Sequence, residues 1–153
     1  MKQNKFNAKV VNKMQLKLPS LSVNEGVARG LVGTVLSLLD PTVEELADVR
    51  CAVSEAVTNC IVHAYRGCVG DIYISVKLYA ERCVQIEIRD HGCGIADVEE
   101  ARQPLFTTDP SGERSGMGFS VMEAFMDEVR VFSRVGRGTR VVMRKRLSKN
   151  DAG

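Results

Sequence analysis

Three short segments carry residues whose types and spacing suit the handling of a flat, phosphate-bearing ligand. Asp90 closes an alternating apolar run, so its carboxylate stands at a strand end where it can accept a hydrogen bond from an exocyclic amine. Gly92 and Gly94 follow at once, and glycines there let a flat ligand approach the backbone closely. Ser115-Gly116-Met117-Gly118 leads into a helical pattern that opens at Phe119, and amides at a glycine-rich helix start suit phosphate. Glu55 and Asn59 lie four apart on a predicted helix, and Glu55 is the one formally charged residue between positions 51 and 64. A face with one carboxylate reads as covered, which makes Glu55 a candidate for chemistry; an ordinary solvated face is the alternative. Neither the phosphate-loop pattern G-x-x-x-x-G-K-[ST] nor the dinucleotide pattern G-x-G-x-x-G is present.

The remaining reactive side chains give less. Cys93 and His91 are two neighbouring ligand types, and two ligands do not make a metal site. His63, two helical turns from Glu55, reads as a packed or solvated histidine. The five cysteines are odd in number and lack C-x-x-C spacing, so they are read as reduced thiols.

The elements that must position these residues follow from periodicity. Residues 13–18 alternate as a half-buried strand that Pro19 ends. Ser22-Val23-Asn24-Glu25 reads as a capping box, and Val27, Ala28, Leu31, Val32, Val35, Leu36 and Leu39 extend a helix over 23–39. Gly26, Gly30 and Gly33 interrupt that helix on one side, by tight packing or as a partner surface beside Arg29. Asp40-Pro41 is expected to cap a second helix running to about Tyr65, with its stripe on Leu46, Val49, Val53, Ala56, Val57, Cys60 and Ala64. Alternation over 72–78 and 84–88, and again near 128–135 and 138–147, predicts two hairpins. Between them, residues 90–118 form an irregular glycine- and proline-rich segment of the kind that carries function. The expected fold is α+β, a two-layer sandwich in which helices cover one face of a mostly antiparallel sheet.

Charge and composition bound the function. The 153 residues are 44% hydrophobic and 26% charged, enough for one domain spanning 1–153. No apolar stretch is long enough for a membrane span, and the start lacks a signal-peptide apolar region, so a cytoplasmic protein with no membrane partner is expected. Residues 1–17 hold five lysines and no acid, and residues 130–153 hold eight cations against Asp151. The middle, with 8 cations and 18 anions, has a net charge of −10. An anion bound there needs backbone amides, a helix terminus or a bound cation. The basic ends read as solvated strand faces; with no Trp and few aromatics, direct nucleic-acid binding is not expected.

At these residues the chain resembles a known superfamily. Glu55-x-x-x-Asn59, Asp90-x-Gly92-x-Gly94 and Gly116-x-Gly118 are similar to the N, G1 and G2 boxes of the GHKL group, which holds gyrase-type topoisomerases, chaperones, histidine kinases and mismatch-repair ATPases. Within it, Val53-Ser-Glu-Ala-Val-Thr-Asn59, Glu100-Ala-Arg-Gln-Pro-Leu-Phe-Thr-Thr108 and Glu113-Arg-Ser-Gly-Met-Gly-Phe119 resemble the anti-sigma F factors of sporulation, which are serine kinases. The resemblance covers residues 14 to 147 and implies a Bergerat-type ATP-binding fold. It implies that Asp90 binds the adenine amino group of ATP or ADP with help from Thr139, that Gly92 and Gly94 shape the adenine pocket, and that Asn59 ligates Mg²⁺. Gly116 and Gly118 would present amides to the phosphates, with Ser115 and Met117 between and before them. Residues 104–115, including Thr107, Thr108 and Arg114, would act as a lid, and Glu55 as general base for a serine hydroxyl. The implied partners are a sigma factor of the F type, an anti-anti-sigma substrate and a second copy of the chain, with Arg29 at the sigma contact. A nucleotide-gated sigma-binding regulator without phosphotransfer is the alternative.

Overall fold

The structure is a computed structural model that describes residues 8–103 and 118–148. The chain runs β1 (Val10–Pro19), α1 (Val23–Leu36), α2 (Val43–Asn59), β2 (Asp71–Tyr79), β3 (Cys83–Asp90), α3 (Val98–Ala101), α4 (Phe119–Phe125), β4 (Glu128–Arg134) and β5 (Gly138–Arg146). The strands form one sheet in the order β1-β2-β3-β5-β4, and every neighbouring pair is antiparallel. The α+β sandwich expected from the sequence is the one that forms.

Alternation decides which face of the sheet is buried. Ile72, Ile74, Val76 and Leu78 of β2 and Val84, Ile86 and Ile88 of β3 are buried in the same cluster as Ala28, Val32 and Leu36 of α1 and Val49, Val53 and Val57 of α2. The opposite face collects the cations. Register lines up Lys17, Tyr73, Arg89, Arg140 and Phe132 in one row across all five strands. The Arg89 guanidinium lies 5.3 Å from the Tyr73 ring centre and that of Arg140 lies 4.4 Å from Phe132. The described part of the basic C-terminal segment is therefore largely a solvated strand face, as its alternation implies.

Both predicted helix starts differ in detail. Ser22 has helical dihedrals (φ −56°, ψ −33°) and its hydroxyl caps nothing, because a cap needs extended backbone. Glu25 turns instead to the Ser54 hydroxyl and to Arg29, 3.5 Å away. Asp40 does not cap α2 either. It takes a left-handed conformation (φ 50°) that ends a 3-10 turn, Ser37–Leu39, so α1 stops at Leu36 rather than 39. Thr42, with extended backbone, is the cap: its hydroxyl accepts from Glu45 N at 3.1 Å and its own N–H donates to Glu45 Oε1 at 2.9 Å. Ser148 N donates to the other Glu45 oxygen at 2.7 Å, tying the C-terminal end of the described chain to α2. Two residues of the predicted α1 stripe, Val27 and Leu31, are exposed instead of buried. Of the three α1 glycines, Gly33 packs tightly, since a Cβ there would sit 3.3 Å from Arg50 Cδ, whereas Gly30 faces open space.

Partial burial works against ionisation of Glu45, but the hydrogen bonds from Thr42 and Ser148 outweigh it and hold its carboxyl below the usual value. Such a group stabilises the fold above its unfolded pKa, and the contribution is lost as pH falls through the folded one. Thr42→Ala should therefore cost about 1 kcal/mol at pH 7, a fall of a few degrees in Tm, while Ser22→Ala should leave Tm unchanged. In urea unfolding, the stability difference between the native chain and Glu45→Gln should shrink from pH 7 to pH 3.

Candidate active site

The site is built where α2 ends. The helix passes from Asn59 into one π turn, Cys60–Ala64, closed by Tyr65 N on Cys60 O at 3.2 Å. The wider turn is an irregularity of the sort found at functional positions. It presents the Ala64 carbonyl to Cys93 N at 3.0 Å, stitching the helix end to the segment after β3. Tyr65 adds a second stitch, accepting from His91 N at 2.7 Å while its hydroxyl donates to Asp71 O at 2.7 Å. Burial lifts the Tyr65 hydroxyl above its ordinary pKa despite the His91 hydrogen bond, which keeps that donor protonated.

Asp90 lies beneath this segment, 5% exposed at the end of β3. A carboxylate so buried is costly unless it is hydrogen-bonded. Its Oδ1 accepts from Gly92 N at 2.9 Å and Thr139 N at 3.2 Å, and its Oδ2 faces the Cys60 thiol at 3.5 Å. Thr139 is paired with Asp90 across β3 and β5, so the sheet register brings them together. The Thr139 hydroxyl meets the Ser133 hydroxyl at 2.8 Å, and Ser133 accepts from Ile95 N at 2.7 Å. Asn59, Cys60, Asp90, Gly94, Phe119 and Thr139 all line one cavity.

The room that the glycines leave is taken by the protein's own backbone. A Cβ on Gly92 would strike Ala64, one on Gly94 (φ 76°) the Arg134 carbonyl, and one on Gly138 (φ 118°) the Asp90 carbonyl. They let the segment after β3, the end of α2 and the β4–β5 turn converge around Asp90.

The solvated-face alternative for Glu55 and Asn59 does not hold. Ala52, on the same side of α2, is fully buried, α4 packs against α2, and both polar residues are only partly exposed. Gly118 begins α4 in a left-handed conformation (φ 69°), and a Cβ there would strike the Glu55 carboxylate. Asn59 carries a buried amide nitrogen, Nδ2, with no hydrogen-bond partner among the described residues. An unpartnered amide lining a cavity is expected of a side chain that serves a ligand. On the far side, Glu55 borders a groove with Arg29, Arg50, Ser54 and Val121.

Thus Glu55, Asn59, Asp90, Gly92, Gly94, Gly118 and Thr139 come together. Thr107, Thr108, Arg114, Ser115, Gly116 and Met117 lie outside the described residues. Sequence reasoning missed Cys60, Tyr65 and Ser133 as members of the network. Ser133 was within reach, because the second hairpin sets it opposite Thr139; Cys60 and Tyr65 needed the π turn. Among the described residues no three His, Cys, Asp or Glu side chains form a group able to hold a metal, all five cysteines are free thiols, and no helix is long and apolar enough to cross a membrane.

The chain matches the histidine kinase-like ATPase domain family over residues 19–145. It is 52% identical over 142 residues to the anti-sigma F factor of Anoxybacillus flavithermus, covering 92% of this chain and 97% of that protein. Identity to the anti-sigma F factor of Bacillus subtilis is 51% over the same shares. The chain belongs to the anti-sigma F factor family. A nucleotide-binding ATPase domain of the kinase type therefore spans Asn59, Asp90 and Gly118. Solved structures share the fold. The RsbU and RsbW domains of a Mycobacterium tuberculosis protein superpose with a TM-score of 0.67 at 21% identity, over 90% of this chain and 33% of that one. The histidine kinase domain of a blue-light activated kinase from Erythrobacter litoralis gives 0.54 at 18%, over 82% and 62%.

If three backbone segments must converge on Asp90, Gly94→Ala should be costly. It combines a left-handed conformation with a backbone clash, and chemical denaturation should show a loss of about 2 kcal/mol or more.

Proposed function

We propose that the whole chain, 1–153, acts as one ATP-binding domain that is both an anti-sigma factor and a protein serine kinase. In this reading it works in the cytoplasm as a homodimer, sequesters an F-type sigma factor in its nucleotide-bound form, and phosphorylates a serine of an anti-anti-sigma protein. The observation that carries the proposal is the position of Glu55. Its carboxylate abuts Gly118 at the start of α4 on one side and a groove open to solvent on the other. A base placed there can meet a phosphoryl group from within and a protein hydroxyl from without.

The residues divide the work. Asp90 accepts a hydrogen bond from the adenine amino group, held in orientation by Gly92 N and Thr139 N. By the family resemblance, Gly116 and Gly118 would present amides to the phosphates and residues 104–115, including Thr107, Thr108 and Arg114, would act as a lid, with Ser115 and Met117 also binding nucleotide; of these only Gly118 lies within the described residues. Asn59 would hold Mg²⁺ through its amide oxygen, while its buried Nδ2, without a hydrogen-bond partner among the described residues, is a donor suited to a phosphate oxygen. Mg²⁺, when bound, offsets phosphate charge in a chain whose middle is acidic. Glu55 would take the proton of the serine hydroxyl while the serine oxygen bonds to the γ-phosphorus and the bond to the β–γ bridging oxygen breaks, releasing ADP.

Arg29 is the proposed partner contact. It is paired with Glu25 and Ser54, and its Nε is buried without a hydrogen-bond partner among the described residues. Beside it α1 exposes Val23, Val27 and Leu31, an apolar strip of the kind a protein partner covers.

Three outcomes test this. Glu55→Gln should keep Mg·ATP affinity within about twofold yet slow phosphate transfer to the anti-anti-sigma protein at least about 100-fold, followed by intact-mass spectrometry. Unchanged transfer would remove Glu55 from the mechanism. Asn59→Ala should lose affinity and transfer together. Arg29→Glu should weaken sigma capture about 10-fold or more with ATP affinity unchanged, read by calorimetry.

A further inference from the structure

The buried side of Asp90 holds a group that the mechanism above leaves unused. Cys60 directly follows Asn59, opens the π turn and is 3% exposed. Its Sγ lies 3.5 Å from Asp90 Oδ2, the carboxylate oxygen that neither Gly92 N nor Thr139 N occupies. The thiol is the donor of that contact, since a carboxylate oxygen can only accept from it. Cys60 and Asp90 line the same cavity.

We infer that Cys60 is a positioning residue for base recognition: its thiol donates to Asp90 Oδ2 and fixes the plane of the carboxylate, so that the chain selects purines bearing an exocyclic 6-amino group. The inference rests on the proposed reading of Asp90 as the adenine contact. The physical reason is geometric. Two amides on Oδ1 fix one oxygen but leave the carboxylate free to swing about that anchor, and a third donor on Oδ2 removes the swing. A carboxylate so aimed can accept from a 6-amino group and opposes a 6-oxo group, which brings a second acceptor. The thiol is a weak donor, so Oδ2 keeps acceptor capacity for the ligand.

The test compares Mg·ATP with Mg·inosine triphosphate, which differ at the purine 6-position and share the phosphates. Calorimetry is run on the full chain and on Cys60→Ala, Cys60→Ser and Asp90→Asn, with thermal unfolding confirming that each is folded. The native chain should prefer ATP, and Asp90→Asn should abolish the preference. Cys60→Ala should weaken ATP binding about fivefold, the effect of one hydrogen bond, while inosine triphosphate affinity moves less than twofold. Cys60→Ser, which keeps a donor, should lie closer to the native selectivity than Cys60→Ala does. A folded Cys60→Ala with the native ATP preference, or one in which both affinities fall together, would overturn the positioning role while leaving Asp90 as the adenine contact. A native chain that does not distinguish the two nucleotides would overturn the reading of Asp90 itself, and the Cys60 role with it.

Discussion

The structure turns on one buried carboxylate. Asp90 sits at the end of a central strand with almost no contact with water, and it is affordable there only because backbone N–H groups from two directions meet it. Those donors belong to different parts of the chain: Gly92 to the segment after β3, and Thr139 to β5. Bringing them together requires Gly92 against Ala64, Gly94 against Arg134 and Gly138 against Asp90 itself. The close approach of three segments, the π turn that ends α2 and the stitching by Tyr65 and Ser133 can all be understood as the support of that charge.

From this centre the two layers take separate tasks. The inner layer buries the apolar faces of β2, β3 and β5 under α1, α2 and α4, and it leaves the end of α2 beside the start of α4. That placement sets Glu55 against Gly118 and leaves the Asn59 Nδ2 without a partner among the described residues, the arrangement that supports phosphate handling. The outer face carries the Lys17, Tyr73, Arg89, Arg140 and Phe132 row, which puts three strand cations on the face away from the helices. In the proposed reading, phosphate bound within an acidic chain middle relies on amides and a bound cation rather than on arginines of the sheet.

Much of this was legible in the residue pattern, and the failures have physical causes. Period-2 alternation in β2 and β3 left one way to bury Ile72, Ile74, Val76 and Leu78, so the hairpins and the layering followed. The site segments were legible because Glu55, Asn59, Asp90 and the glycines interrupt otherwise apolar or periodic stretches. Helix starts were not, because Ser22 and Asp40 have the right side chains but the wrong backbone: Ser22 is already helical and Asp40 is left-handed. Cys60 was hidden for a different reason. It falls on the apolar stripe of α2 and packs as a core residue would, and the π turn that aims it at Asp90 leaves no mark in helical periodicity.

The most direct test of this account is a crystal structure of the chain with Mg²⁺ and ADP bound. The account predicts the adenine amino group within hydrogen-bonding distance of the Asp90 carboxylate, with the phosphates beside Asn59 and the start of α4. A nucleotide seated elsewhere, for example against the Tyr73 and Phe132 row of the outer face, with Asp90 still enclosed by its own protein donors, would contradict it.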